Sequence, residues 1–587
     1  MCGITGIFAY RSSAAGVRRE ELAAITERMR PRGPDAGGTW LAADGRVGLG
    51  SRRLAIIDLT SDGEQPMFST DGEFGVVFNG EIYNYRELRA SLERGGARFH
   101  SESDTEVLLE LYRRDRDAML GLLRGMFAFI IWDKRERRMF VARDPYGIKP
   151  LYFSDDGGTL RVASTVKALI AGGAVSPGLD PGGVAGFFLT GSVPEPLTIR
   201  REVRAVEAGT AFAAAEGQGK TDGRRHYSVA SVFRSADGQR GHARFTRPET
   251  LLRERVEESV AYHLVADLPV GIFLSSGIDS STLTAMAARA TQRPLHTFTL
   301  AFDEFRDRGT DEAPAAERFA RELGTVHTTR VVTREEFQAD LPRILDAMDQ
   351  PTIDGINTWF VSKAVREAGL KVAISGLGGD ELFGSYSSFR NIPRLVRIAR
   401  VPIVARMARM VRQHPKAVLI GRFALTYAGA YLLQRGLFLP AELPGLIGSD
   451  RAEEGLQQLN ILDIIARAIT PDPVTEFGRV ASLEASLYMR NQLLRDADWA
   501  SMAHSVEVRT PLVDAALLRQ IAPLLLEERS ACKETFAAEL PRWLRERPKS
   551  GFFVPMREWL DLPADGTSTR MRSWARRVFD WSENSGR

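Results

Sequence analysis

The sequence predicts two domains, one α+β and one α/β, and three observations carry that prediction. At 587 residues the chain is too long for a single hydrophobic core. Between residues 270 and 375, apolar runs at 270–274, 295–302, 327–332 and 371–375 alternate with helical stretches at 281–291, 312–323 and 359–368. That alternation is the pattern of a parallel sheet covered by helices. Residues 125–132 and 138–142 read instead as two strands around the polar turn Asp133-Lys134-Arg135-Glu136-Arg137, a hairpin and therefore an antiparallel pairing.

Composition narrows the class. Apolar content of 44% and charged content of 26% are those of a soluble globular chain, and a net charge of +3 gives no general case for binding nucleic acid. Two cysteines, Cys2 and Cys532, exclude a disulfide framework and make the cytoplasm the expected compartment. No transmembrane segment is expected: the most apolar region, 417–433, is interrupted by Arg422. The N-terminus lacks the basic region and long apolar stretch of a signal peptide. The eight histidines have no metal-ligand spacing.

The chain opens Met1-Cys2-Gly3-Ile4-Thr5-Gly6. Removal of Met1 would give Cys2 a free α-amine beside its thiol, so that one residue carries both nucleophile and general base. A penultimate cysteine by itself is commonly incidental. Here it is followed by Arg32-Gly33-Pro34-Asp35, Arg53-Leu54-Ala55-Ile56-Ile57-Asp58, Asn79-Gly80-Glu81-Ile82-Tyr83-Asn84, Ser103-Asp104-Thr105-Glu106, Gly125-Met126-Phe127-Ala128-Phe129 and Arg143-Asp144-Pro145-Tyr146-Gly147-Ile148-Lys149-Pro150. In order and spacing these resemble the class II glutamine amidotransferase domain, over residues 2–213.

That resemblance implies an N-terminal-nucleophile αββα sandwich, two antiparallel sheets between helical layers. It implies that Cys2 attacks the glutamine amide and that the Asn79 side chain and the Gly80 backbone N–H hold the oxyanion, where negative charge develops. Arg53 would fork the α-carboxylate of glutamine, and Asp104, with Glu81 beside it, would hold the α-ammonium. Residues 214–246, polar and glycine-bearing without a sustained period, read as a linker to a second domain over 247–565, with 566–587 as a C-terminal tail.

In the second domain the first apolar run ends in Leu274 and is followed by Ser275-Ser276-Gly277-Ile278-Asp279-Ser280-Ser281 and a helix over 282–290. A strand–loop–helix junction aims backbone N–H groups at an anion, and the serines add hydroxyl donors. Asp279 is suited to hold a magnesium ion against bound phosphates. Walker spacing is absent, and an ordinary βα turn has the same composition. The loop resembles the Ser-Gly-Gly-x-Asp-Ser loop of ATP pyrophosphatases.

A second loop, Ser375-Gly376-Leu377-Gly378-Gly379-Asp380-Glu381, again follows a strand. With residues 496–514 and Arg547-Pro548-Lys549-Ser550-Gly551-Phe552 it completes a pattern similar to the synthetase domain of glutamine-hydrolysing asparagine synthetases. The resemblance implies that ATP adenylates a carboxylate, most simply the side chain of aspartate, and that ammonia from the first site displaces AMP. It further implies nucleotide contacts at Leu274, Ser275, Ser276, Gly277, Asp279, Ser280, Leu300, Ser375 and Gly376, with Lys549 neutralising pyrophosphate. ATP and Mg2+ are the expected cofactors. Glutamine and a carboxylic acid are the expected partners, and a homodimer the expected assembly.

Two positions depart from the family pattern. Ser276 stands where a glycine is usual, and Leu377 stands where the common asparagine synthetases carry a glutamate. Leu377 keeps open a sister amidotransferase that amidates another acid, for instance a uronic acid or a precursor in polysaccharide or secondary-metabolite assembly. An inactive scaffold or regulatory homologue is the reading of a different class. Without a carboxylate at 377, Asp380 and Glu381 are the nearest candidates to take the proton of the attacking amine, unless they only cap the following helix or bind magnesium. Residues 382–441 carry ten basic side chains and no acidic one. They are expected to be a solvated helix face rather than a peripheral membrane contact.

Overall fold

The computed structural model describes residues 2–238, 247–306, 308–401, 423–547, 554–560 and 566–584. The expected two-domain architecture holds. In the first domain a six-stranded antiparallel sheet runs in the order Arg204–Ala205, Tyr152–Asp155, Thr159–Ala163, Cys2–Ala9, Val47–Arg53, Ala36–Leu41. The second sheet is also antiparallel and contains Gly219–Lys220, Thr210–Ala215, Arg138–Arg143, Gly125–Asp133, Phe74–Ile82 and Met67–Phe68, with Arg224–Arg225 added to Thr210–Ala215.

Period-two patterning builds the layers. Ile4 and Phe8 of the first strand meet Val77, Ala128, Ile130 and Val141 between the sheets, while Ile7 faces the other way onto Leu22, Ile25 and Leu169 of the helices Arg19–Arg28 and Val166–Ala171. On the opposite side, Phe127, Phe129 and Ile131 pack on Val107, Leu108 and Leu111 of helix Asp104–Asp115. This is the αββα sandwich.

The second domain is built on a parallel sheet, ordered Val326–Val332, His296–Phe302, Val270–Phe273, Val372–Ile374, Glu507–Arg509. Its helix after the first strand spans Ile278–Ala290, beginning earlier than expected and placing Asp279, Ser280 and Ser281 in its first turn. An acid and small hydroxyls fit the positive end of a helix, which is why the composition read as loop.

One expectation about connections is corrected. Residues 214–246 are not irregular throughout: Ala215 ends a strand, two short strands pair with that strand, and helix Val229–Asp237 buries Val229, Ala230, Phe233 and Ala236. Strands of two residues are held by their neighbour and leave no periodic signal, and residues 239–246 lie outside the described residues. The segment expected as a C-terminal tail holds helix Gly566–Asn584, which buries Trp574, Ala575, Val578 and Phe579 in the core of the second domain. In the basic stretch, helix Ser388–Ala399 buries Ile392, Val396 and Ala399 and exposes Arg390, Arg394 and Arg397. Residues 402–422 of that stretch are outside the described residues.

Candidate active sites

Cys2 begins a central strand of the first sheet, opposite Arg53 in register. It is buried, and its nitrogen lies 3.0 Å from Asn79 Oδ1. Burial pushes the thiol pKa up, while the positive chain terminus, the Leu54 N–H and Arg53 pull it down. The Nδ2 of Asn79 is buried with no hydrogen-bond partner among the described residues. An unpartnered buried donor is costly, and beside a nucleophile it is what an oxyanion hole offers before a substrate arrives. Gly80 is held at φ +151°, and a Cβ there would lie 2.0 Å from the Met126 carbonyl. Only glycine fits that close approach.

Arg53 does not stand open. Its Nη1 donates to the Thr60 carbonyl at 2.9 Å, and its Nη2 to the carbonyls of Ile57, at 3.2 Å, and Asp58. It therefore organises the 57–60 loop. That loop is tied to the second domain by the Asp58 N–H, which donates to Asp267 at 2.7 Å. Asp104 accepts from the Ile82 N–H at 2.9 Å, and burial raises its carboxyl above the usual range. Glu81 is raised well above its ordinary value by burial and by the charges of Glu507 and Asp104, and its Oε2 has no hydrogen-bond partner among the described residues.

Glu507 and Arg509 come from the synthetase domain's own sheet. Arg509 Nε donates to Glu507 at 2.6 Å, its Nη1 donates to the carbonyls of His263 and Val265 at 2.9 and 2.6 Å, and its Nη2 stands 3.6 Å from Glu81. Three carboxyls thus face one guanidinium, an environment suited to an added cation such as an α-ammonium. Across the same boundary Arg32 pairs with Asp498 and donates through Nε to the Cys2 carbonyl at 3.3 Å. Sequence reasoning gave no role to Arg32, Asp498, Glu507 or Arg509. Their signal was only that charged residues sit among apolar ones in segments already singled out.

In the second domain Ser275 and Ser280 bond each other through their hydroxyls at 2.8 Å, and Ser280 Oγ also donates to the Ser275 carbonyl at 2.8 Å. The hydroxyl of Ser276 is buried and has no hydrogen-bond partner among the described residues. Gly277 directly precedes the helix. The second loop closes on the first: a Cβ at Gly376 would lie 2.9 Å from the Ser280 nitrogen, and one at Gly379 2.4–2.6 Å from the Asp279 carboxyl. The glycines bring two loops together beyond the carboxyl ends of adjacent strands, where nucleotides bind such sheets. Ser375 and Gly376 are therefore beside the first loop. The side chains of Leu274 and Leu300 are not, since both are core residues, and only their backbone is left to meet a nucleotide.

Among the described residues no group of three His, Cys, Asp or Glu side chains forms a metal site. A magnesium ion at Asp279 would take most of its ligands from phosphate oxygens and water, as is usual for that ion. Lys549 lies outside the described residues. Leu377 is half-buried against the core. Glu381 is buried, accepts from the Tyr386 hydroxyl at 2.9 Å, and is pushed up to about 8 by burial first and by the charges of Asp380 and Glu484.

Residues 1–227 match the glutamine amidotransferase domain model, and residues 251–580 match that of asparagine synthase. The chain belongs to the asparagine synthase family. As a member of that family it is 32% identical to asparagine synthetase [glutamine-hydrolyzing] 1 of Bacillus subtilis, over 99% of this chain and 90% of the relative. It is 33% identical to a putative asparagine synthetase of Mycobacterium tuberculosis, over 95% and 88% of the two chains. It is 30% identical to amidase chyE of Penicillium rubens, over 66% and 60%. The asparagine synthase match covers the second domain, and the names of these similar proteins include both asparagine synthetases and an amidase.

Proposed function

We propose that the protein hydrolyses glutamine at Cys2 and uses the ammonia, with ATP, to amidate a carboxylic acid in the second domain. The observation that carries this reading is the buried Asn79 Nδ2, unpartnered beside a Cys2 whose nitrogen the same side chain holds. The Cys2 sulfur adds to the glutamine δ-carbon and ammonia leaves as the C–N bond breaks. Water then hydrolyses the thioester to glutamate. In the second domain a carboxylate oxygen attacks the α-phosphorus of ATP and the bond to pyrophosphate breaks. Ammonia adds to the acyl carbon, the adduct loses a proton, and AMP departs with the electron pair of the C–O bond.

Ser276 Oγ and the backbone N–H groups at the start of helix Ile278–Ala290 are the donors proposed for the phosphates. Asp279 would hold magnesium, which supplies charge neutralisation for the departing pyrophosphate. Leucine at 377 accepts no proton. Of the two carboxyls on that loop, Glu381 is the better candidate, because a value of about 8 matches a base to neutral operation. Aspartate is the simplest acceptor, since several of the similar proteins are named asparagine synthetases.

The test is pyrophosphate release with glutamine and a panel of acids. Acid-dependent release that requires ATP supports the reading, and release with no acid in the panel rejects it.

A further inference from the structure

One residue touches both candidate sites. Arg509 ends the fifth strand of the parallel sheet, Glu507–Arg509, and is fully buried. Its side chain faces the Cys2 site, where Nη2 stands 3.6 Å from Glu81 Oε1. Its main chain faces the second loop. The Arg509 carbonyl accepts from the Ser375 N–H at 2.8 Å, and Arg509 lies in register with Ile374, the residue before that loop.

The segment after Arg509 carries the same loop further along. Gly378 is held at φ +99°, and a Cβ there would lie 2.5 Å from Val513 Cγ2 and 3.3 Å from the Leu512 carbonyl carbon. The second loop therefore rests on residues 509–513 at its first residue and at its middle. Gly376 and Gly379 of that loop abut Ser280 and Asp279, so its position also fixes the first loop.

On the other side the contact between Arg509 and Glu81 is incomplete. At 3.6 Å it is longer than a charge-assisted hydrogen bond, and neither Arg509 Nη2 nor Glu81 Oε2 has a hydrogen-bond partner among the described residues. Burial and the charges of Glu507 and Asp104 hold Glu81 toward its neutral form, against the pull of Arg509 and the chain terminus. An α-ammonium seated between Asp104 and Glu81 supplies the missing cation. It lets Glu81 ionise, with Oε2 on the ammonium and Oε1 turned to Arg509.

The guanidinium does not swing freely to meet it. Nε is held by Glu507, and Nη1 by the carbonyls of His263 and Val265. A group clamped in this way passes a closure of about 1 Å to its own main chain, and packed elements turn such small shifts into a change of arrangement.

We infer that Arg509 is the positioning residue that couples the two sites: glutamine bound at Asp104 and Glu81 sets the second loop for the nucleotide, and the nucleotide tightens the hold on glutamine. The inference rests on the glutamine and ATP reading above and adds the residue that joins its two halves. By linkage, each ligand gains the same factor from the other.

The experiment is calorimetric binding to the full chain carrying Cys2→Ala, which leaves glutamine uncleaved, with α,β-methylene-ATP and magnesium as the nucleotide. Each ligand is titrated alone and in the presence of the other. Glutamine is expected to bind about fivefold or more tightly with the nucleotide present, and the nucleotide by the same factor with glutamine present. Arg509→Lys keeps a cation beside Glu507 but has no planar fork to span Glu81 and the two carbonyls. It should bring the factor below about twofold, while the nucleotide alone binds within about twofold of the parent. Glu507→Gln combined with Arg509→Gln removes both buried charges together, so it answers the same question if the single variant does not fold.

A factor retained in either folded variant, or a parent that binds both ligands independently, overturns the assignment. So does a nucleotide affinity that falls by more than twofold in both variants without glutamine, which would make Arg509 a structural support only. A parent that fails to bind one ligand alone rejects the glutamine or ATP reading itself, and the coupling falls with it.

Discussion

Arg32 forks Asp498 across the domain boundary, Nη1 to Oδ2 at 2.7 Å and Nη2 to Oδ1 at 2.9 Å, with both side chains buried. The same guanidinium donates to the carbonyl of Cys2. Removing one partner of a buried bidentate pair leaves an uncompensated charge, which costs about 3–5 kcal/mol. Arg32→Ala and Asp498→Ala should each destabilise the protein by that order in urea unfolding. The double variant should lose less than their sum, with a coupling of about 1 kcal/mol or more. Strictly additive losses would mean that the pair does not act as one unit.

Cys2→Ala should abolish glutamine hydrolysis and leave amidation from added ammonium salt, because the adenylation proposed for the second domain does not use the thiol. Loss of both in a folded variant counts against two sites. Retention of Met1 should act like the substitution, and mass spectrometry of the purified protein reports which form is active.

Asn79→Ala should lower glutaminase kcat by about 10²–10³, the usual cost of one oxyanion donor, with a smaller change in the KM for glutamine. Gly80→Ala should act differently. The new methyl would press on the Met126 carbonyl from a backbone angle that disfavours it, so a lowered melting temperature should accompany the lost activity.

Glu381 makes a pH prediction. A carboxyl raised from 4.5 to about 8 binds its proton more tightly in the folded state than in the unfolded chain. The stability it contributes is complete below 4.5 and is lost as pH rises through 8. Glu381→Gln should therefore gain stability relative to the parent between pH 5 and 8 and level off above. Amide formation by the parent should rise toward pH 8, and in Glu381→Gln that rise should vanish while pyrophosphate exchange persists. An unchanged pH profile would remove Glu381 from proton transfer.

How much of this was legible depends on where each residue finds its partner. The Cys2, Asn79 and Asp104 segments could be singled out only through their order and spacing, which resemble the class II glutamine amidotransferase domain, since each residue alone is commonplace. The strands at 270–274 and 295–302 could be read because a strand buried on both faces is a continuous apolar run. The strand Glu507–Arg509 was not read. Two of its three residues are charged, and they are buried only because Arg509 bonds Glu507 and lies beside Glu81, a partnership some 430 residues apart by the chain's own numbering. Likewise, spacing could not show that Leu274 and Leu300 point into the core, because their identity suits a core and a binding wall equally.

The fifth strand of the parallel sheet also bears on inheritance. Because Glu507 and Arg509 complete the surroundings of Glu81 and Asp104, the amino-terminal half is not a self-sufficient module. A chimera joining it to a relative's synthetase half would keep its charge balance only if the donor brought the same acid and base on that strand. A change of charge on that strand is therefore felt at Glu81 and Asp104, more than 400 positions earlier in the sequence.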